Sequence, residues 1–165
     1  MYNKLYNLSY ITRYSAVPRV KNESVAEHSF YVASIVIMLS DTYKFDVGKA
    51  VTMAVIHDWP EAWLGDITVA VKREYPAIKD AVNIAEEQVV KDNFGIMTTE
   101  LWLEHTNKTS IESLIVHLAD VMQCKQYAEH EIKLGNDGYM REVLELASSR
   151  QNEIEELLHV CFKKA

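Results

Sequence analysis

Long runs of apolar residues at helical spacing, with few residues that would interrupt them, constrain this chain more than any other feature. Only 5 Gly and 3 Pro occur in 165 residues. Apolar side chains recur three and four apart, and alternating strand patterns are scarce. Ser24-Val25-Ala26-Glu27 has the form of a capping box, opening a helix that carries Val32, Ile35, Val36 and Leu39. Asp46 caps a second apolar run, Val47, Ala50, Val51, Ala54 and Val55, which ends at His57-Asp58. Pro60 restarts the chain and Gly65 marks a turn. Further helices are expected over Lys4 to Tyr10, Pro76 to about Asn93 (stopped by Gly95), Thr98 to His105, Ser110 to Leu134 (with Gly135 after it) and Asp137 to Phe162. Thr12 to Asn22, with Pro18, reads as a loop. No repeat, low-complexity stretch or linker divides the chain. The pattern predicts a single all-α domain over residues 1–165, an irregular helical bundle.

Composition narrows the partners. Apolar residues make up 48% of the chain, enough for a core without disulfides. The longest apolar run, Phe30 to Leu39, is far short of the roughly 18 residues needed to cross a membrane. The opening Met1-Tyr2-Asn3-Lys4-Leu5 lacks a signal-peptide pattern. Cys124 and Cys161 have no CxxC spacing, which argues against a disulfide framework or a thiolate zinc site. The expected setting is therefore reducing and cytoplasmic, or a host cytoplasm if the chain is phage-encoded. A net charge of −7 disfavours binding to a nucleic-acid polymer. It leaves room for a small anionic substrate, because a bound cation reverses the local sign.

The chemistry concentrates in three places. His57-Asp58-Trp59-Pro60-Glu61-Ala62-Trp63-Leu64-Gly65-Asp66 sets four coordinating or ionisable groups among two tryptophans, a proline and a glycine. A solvated helix end has no need of indoles between its carboxylates. His28 lies one turn into an apolar helix, where a histidine needs a partner. Asp120 lies within Leu114-Ile115-Val116-His117-Leu118-Ala119-Asp120-Val121-Met122, where it is expected to be partly buried, and a charge drawn out of water needs a cation. One divalent metal held by His28, His57, Asp58 and Asp120 answers all of these demands. Two imidazoles and two carboxylates suit Mn²⁺, Fe²⁺, Co²⁺ or Zn²⁺. Such an ion lowers the pKa of water towards about 7 and polarises a phosphoryl oxygen.

The order His28, His57-Asp58, Asp120 resembles the HD-domain phosphohydrolases, whose folds are all-α. Arg13-Tyr14, Val25-Ala26-Glu27-His28-Ser29, the HDxxExxxGD run at 57–66, Val71-Lys72, Ala119-Asp120 and Gly135-Asn136 make the likeness closer. They resemble the YfbR-type 5′-deoxynucleotidases and the small phage dATP triphosphohydrolases (the DatZ-like group), over nearly the whole chain. The resemblance implies roles. His28, His57, Asp58 and Asp120 match metal ligands. Glu61 matches the group beside the attacking water, and Asp66 an aspartate near the substrate. Arg13 matches a phosphate-binding arginine, and Lys72 is a weaker candidate for that task. Tyr14 stands where the family carries Trp against the sugar or base, and Trp59 is a further candidate for the base pocket. The implied substrate is a 2′-deoxynucleotide, with deoxyadenosine favoured. A triphosphate would call for additional Mg²⁺ or Co²⁺. Relatives form dimers or larger assemblies, so a homo-oligomer is expected.

Two other functions stand beside this one: a non-catalytic nucleotide sensor built on the same domain, and an alarmone hydrolase. Glu61 and Asp66 speak against the first, and Arg13-Tyr14 against the second. His117 reads as a surface or packing residue, and His105, His130 and His159 as surface histidines. Trp102 is expected in a core or interface, and Cys124 as a buried apolar filler.

Overall fold

The computed structural model describes residues 2–164. Helices α1 (Tyr2–Leu5), α2 (Val25–Leu39), α3 (Val47–Ile56), α4 (Glu61–Leu64), α5 (Val69–Glu74), α6 (Pro76–Asn93), α7 (Ile96–Thr106), α8 (Ile111–Lys133) and α9 (Gly138–Lys164) account for most of it. Among the described residues there is no β-strand, only an isolated antiparallel bridge between Thr12 and Ser24. The all-α bundle expected from the apolar spacing is what forms.

The caps act where the sequence put them. Ser24 Oγ accepts from Glu27 N at 3.2 Å, and Glu27 Oε2 accepts from Ser24 N at 2.7 Å, so α2 opens on a complete capping box. Asp46 Oδ1 accepts from Lys49 N at the start of α3. Ser110 and Ser113 exchange the same pair of bonds at the start of α8. Gly135, at φ 96°, follows the C-terminus of α8 in a conformation that side chains resist.

The core lies where α2, α3, α8 and α9 meet. Val32 and Val36 of α2, Met53 and Ala54 of α3, Ile115, Leu118 and Ala119 of α8, and Ile154 and Leu158 of α9 are buried together. Each large aliphatic side chain contributes about 1.5–3 kcal/mol by leaving water. This burial sets the rotation of every helix, and so decides which polar residues face inward.

Three elements depart from expectation. The first helix is one turn of α-helix followed by a 3₁₀ turn at Tyr6–Ser9, not a continuous helix to Tyr10. Its apolar residues pack locally, Leu5, Leu8 and Ile11 lying with Val25, Ala62 and Trp63. The short helix α5 was not expected, because only six residues separate Thr68 from the capping Tyr75. Helix α7 begins at Ile96, directly after Gly95, two residues before Thr98.

Candidate metal centre and adjoining cavity

His28 occupies the stripe of α2 that also carries Val25, Val32 and Val36, and is 1% exposed. Helical periodicity thus carries its imidazole into the bundle. His57 caps the C-terminus of α3 and Asp58 follows in the turn before α4. Asp120 comes from the middle of α8. The three segments bring their ligand-type atoms together. His28 Nε2 lies 3.3 Å from His57 Nε2, 3.5 Å from Asp58 Oδ2 and 3.2 Å from Asp120 Oδ1. His57 Nε2 lies 3.2 Å from Asp58 Oδ2. His28, His57 and Asp120 each offer an atom within one span of 4.8 Å.

The donor chemistry fits a divalent cation. His57 Nδ1 is 2.7 Å from Ala54 O, a carbonyl that can only accept, so the proton sits on Nδ1 and the Nε2 lone pair faces the cluster. The carboxylates also show a demand for positive charge. Burial opposes ionisation of Asp58, yet His57 and His28 hold it well below the usual carboxylate range. Burial likewise opposes ionisation of Asp120, and its contact with His28 reverses that effect. Burial disfavours the His57 imidazolium, but attraction to Asp58 and Asp120 pushes its pKa up to about 9. Protons and a cation therefore compete for this cluster.

Glu61 opens α4 beside Asp58. Its Oε2 is buried without a hydrogen-bond partner. Burial, then Asp58 and Asp66, raise its pKa well above the ordinary value. Burial raises that of Asp66 too, against Arg13 and the Tyr14 amide. Asp66 follows Gly65, whose φ of 78° makes the turn out of α4. Asp66 Oδ2 accepts from Tyr14 N at 3.2 Å. Tyr14 itself has a φ of 56°, a left-handed conformation uncommon for a bulky residue. Its ring stacks on Tyr127 of α8, with centroids 5.2 Å apart and planes 4° from parallel.

A cavity of about 290 Å³ opens beside the cluster, walled by the Arg13-Tyr14 loop, α5, α8 and α9. Asp66, Asp120 and Arg13 line its polar end; Val69, Tyr139 and Leu146 line the rest. Arg73 of α5 and Glu142 of α9, both on its wall, form an ion pair at 2.8 Å. Arg13 is held rather than free: its NH1 donates to Glu23 Oε2 and Gln123 Oε1, each at 3.0 Å, and NH2 to Cys124 Sγ at 3.4 Å.

Two of the expected substrate contacts fall away from the cavity wall. Trp59 packs on Phe94, ring centroids 5.0 Å apart, and Lys72 pairs with Glu86 at 3.2 Å. His105 corrects the expectation of a surface histidine. It is buried, stacks on His117 with centroids 4.2 Å apart, and meets His57 edge-on at 5.7 Å. Its position between α7 and α8 depends on which face of α7 is covered, and no local signal carries that. His117 is half-buried on the cavity wall and donates from Nε2 to His105 O; burial pulls its pKa down to about 4. Trp102 is buried as expected, and its Nε1 donates to His57 O. Cys124 is no apolar filler: it lies against Arg13 and Asp120, and burial pushes its thiol up to about 11. Glu23 and Gln123, buried and bonded to each other at 2.6 Å, were not singled out by sequence. The glutamate next to the Ser24 cap gave no sign of facing inward.

The profile of the YfbR-like 5′-deoxynucleotidases matches residues 1–163. Bovine 5′-deoxynucleotidase HDDC2 is 28% identical over 127 residues, covering 70% of this chain and 59% of that protein. The chain thus spans less than two thirds of the vertebrate relatives it matches. Among solved structures, the PH0347 protein of Pyrococcus horikoshii superposes with a TM-score of 0.77 at 27% identity, covering 97% of each chain. The cyanophage S-2L HD phosphohydrolase DatZ, bound to dA and one catalytic Zn²⁺ ion, superposes at 0.68 with 18% identity over 100% of this chain and 98% of that one.

Proposed function

The chain belongs to the YfbR-like 5′-deoxynucleotidase family, and from that membership and the site's geometry we propose that it is a divalent-metal phosphohydrolase. It cleaves the 5′-phosphate of 2′-deoxynucleotides and releases the deoxynucleoside. The observation that carries this reading is the convergence of His28, His57, Asp58 and Asp120 at 3.2–3.5 Å beside a half-apolar cavity.

A cation held by these four residues supplies Lewis acidity, lowering the pKa of water towards about 7 and polarising a phosphoryl oxygen. The chain's own residues do the rest. Glu61 Oε2, buried and unpartnered, has the raised basicity of a group that takes a proton from the attacking water at neutral pH. Arg13 sits at the polar end of the cavity as the cationic partner of the phosphate. Asp66, fixed by the Tyr14 amide, is placed to accept from the sugar hydroxyl.

The base lies along the apolar wall of Val69, Tyr139 and Leu146. Deoxyadenosine nucleotides are the favoured substrates: a purine suits this wall, and the fold neighbour DatZ holds dA. A triphosphate would need Mg²⁺ or Co²⁺ in addition, since Arg13 alone offers little charge. Lys72, paired with Glu86, and Trp59, packed on Phe94, do not line this wall and are given no substrate contact. Exposed Leu157 and Val160 on α9 support self-association.

A release assay for phosphate, pyrophosphate and triphosphate tests the function, run over all dNMPs and dNTPs with Mn²⁺, Co²⁺, Zn²⁺ and Mg²⁺. Metal-dependent turnover of deoxynucleotides, abolished by a chelator, is expected. Absence of turnover under every combination would overturn the proposal and favour a nucleotide sensor.

A further inference from the structure

The imidazole of His28 can face a cation only if its proton is on Nδ1, because Nε2 is the atom directed at Asp58 and Asp120. The groups behind Nδ1 decide that. Gln123 Oε1 and Arg13 NH1 each lie 2.8 Å from it. An arginine donating to Nδ1 would force the wrong tautomer, with Nε2 protonated. A glutamine oxygen accepting from Nδ1–H gives the right one.

Glu23 resolves the choice. It is 4% exposed, and its carboxylate can only accept. Oε1 lies 2.6 Å from Gln123 Nε2, which fixes the nitrogen end of that amide towards Glu23 and the oxygen end towards His28. Oε2 lies 3.0 Å from Arg13 NH1. The two hydrogens of NH1 are then taken by Glu23 Oε2 and Gln123 Oε1, leaving none for Nδ1. The bonds from Arg13 to Glu23 and Gln123, from Gln123 to Glu23 and from His28 to Gln123 are all made in one arrangement, and in that arrangement His28 presents a lone pair to the cluster.

We infer that Gln123, oriented by Glu23, is a positioning residue that fixes the metal-binding tautomer of His28. The inference rests on the metal-site reading above. It explains why a glutamate and a glutamine are buried together 100 residues apart in sequence. It also gives Arg13 a second task, as the cation that neutralises Glu23 inside the bundle.

The test measures Mn²⁺ affinity by competition with a chelator, in the wild type, Gln123→Met, Gln123→Glu and Glu23→Gln, with far-UV circular dichroism as a check on folding. Gln123→Met keeps the size and removes the acceptor. It is expected to weaken Mn²⁺ binding 10–100-fold, as loss of such a partner commonly does. The Mn²⁺ concentration for half-maximal turnover should rise by a similar factor. Gln123→Glu keeps an acceptor for Nδ1–H, and its other oxygen, at the place of Nε2 2.6 Å from Glu23 Oε1, mimics the amide by taking up a proton; in that form it should bind Mn²⁺ within a few-fold of wild type. Glu23→Gln puts a donor among donors and should weaken binding too. If Gln123→Met does not fold, the contrast between Gln123→Glu and Glu23→Gln decides the matter. Equal affinities across the folded variants, or Gln123→Glu binding as weakly as the other two, would overturn the inference while leaving the metal site intact. A wild type that binds no Mn²⁺ would overturn the metal-site reading itself, and the inference with it.

Discussion

Replacing Glu61 with glutamine should make the protein more stable and less active at once. Glu61 Oε2 is buried without a partner, close to the carboxylates of Asp58 and Asp66. Leaving a buried polar atom unpaired costs about 1–3 kcal/mol. Glutamine keeps the volume, removes the charge and adds an N–H that can donate to a neighbouring carboxylate. Because burial and the two aspartates raise the folded-state pKa of Glu61, folding favours its protonated form. The stability it contributes is therefore present below the ordinary value of 4.5 and lost as pH rises through the folded value. In chelated protein at pH 8, Glu61→Gln should gain about 1–3 kcal/mol, which for a domain of this size raises Tm by about 2–4 °C per kcal/mol. The gain should fade as pH approaches 4. Chelation matters, since a nearby cation would itself favour the carboxylate. Loss of the proton acceptor should lower turnover by about 10²–10⁴-fold. Thermal melts from pH 4 to 8, paired with a phosphate-release assay, read both effects. A Tm difference that does not change with pH, or unaltered turnover, would refute the reasoning.

Three further outcomes are expected. Glu131 is fully buried and its carboxylate accepts from Val20 N, Lys21 N and Asn136 Nδ2 at 2.7–2.8 Å. Glu131→Gln should cost about 1–3 kcal/mol at pH 7 in urea unfolding. These bonds outweigh burial and lower its folded pKa, so the penalty should shrink as pH falls below 4.5 through that value. Tyr14→Gly should relieve roughly 1 kcal/mol of left-handed strain yet raise KM for the deoxynucleotide, because the ring stacked on Tyr127 is gone; an unchanged KM would place the substrate elsewhere. Leu146→Trp should fill part of the cavity from a half-exposed position, raising KM by tenfold or more with little change in Tm, as steady-state kinetics and a thermal melt would show.

Much of this was legible because the relevant signals are local or periodic. Ser24 and Glu27 announce the start of α2, and with it the inward rotation of His28. Asp120, flanked by Ala119 and Val121, announces a carboxylate turned inward, and it is half-buried on the cavity wall. Other features depend on contacts between distant segments. Nothing near Glu23 predicts that it meets Gln123, because the pairing is made only when α2 docks on α8. His105 looks like any helix-end histidine until α7 lies against α8. Arg13 matches a phosphate-binding arginine in the sequence; its tethering to Glu23 and Gln123 is a property of the assembled core. The position of Tyr14 was legible, but its left-handed backbone was not, since no glycine marks it.

Helix α8 carries Asp120, Gln123, Cys124, Tyr127 and Glu131 on one stripe, spaced 3, 1, 3 and 4 residues apart. Along about 16 Å of a single rigid rod, it sets the depth of the Asp120 carboxylate, the contact of Gln123 with the His28 imidazole, the seat of the Tyr14 ring and the anchorage of the 17–22 loop. Adding or removing one residue between 120 and 131 would turn everything beyond it by about 100°. Chain length in this segment is thus fixed by the register of the stripe, independently of which residues fill the positions between.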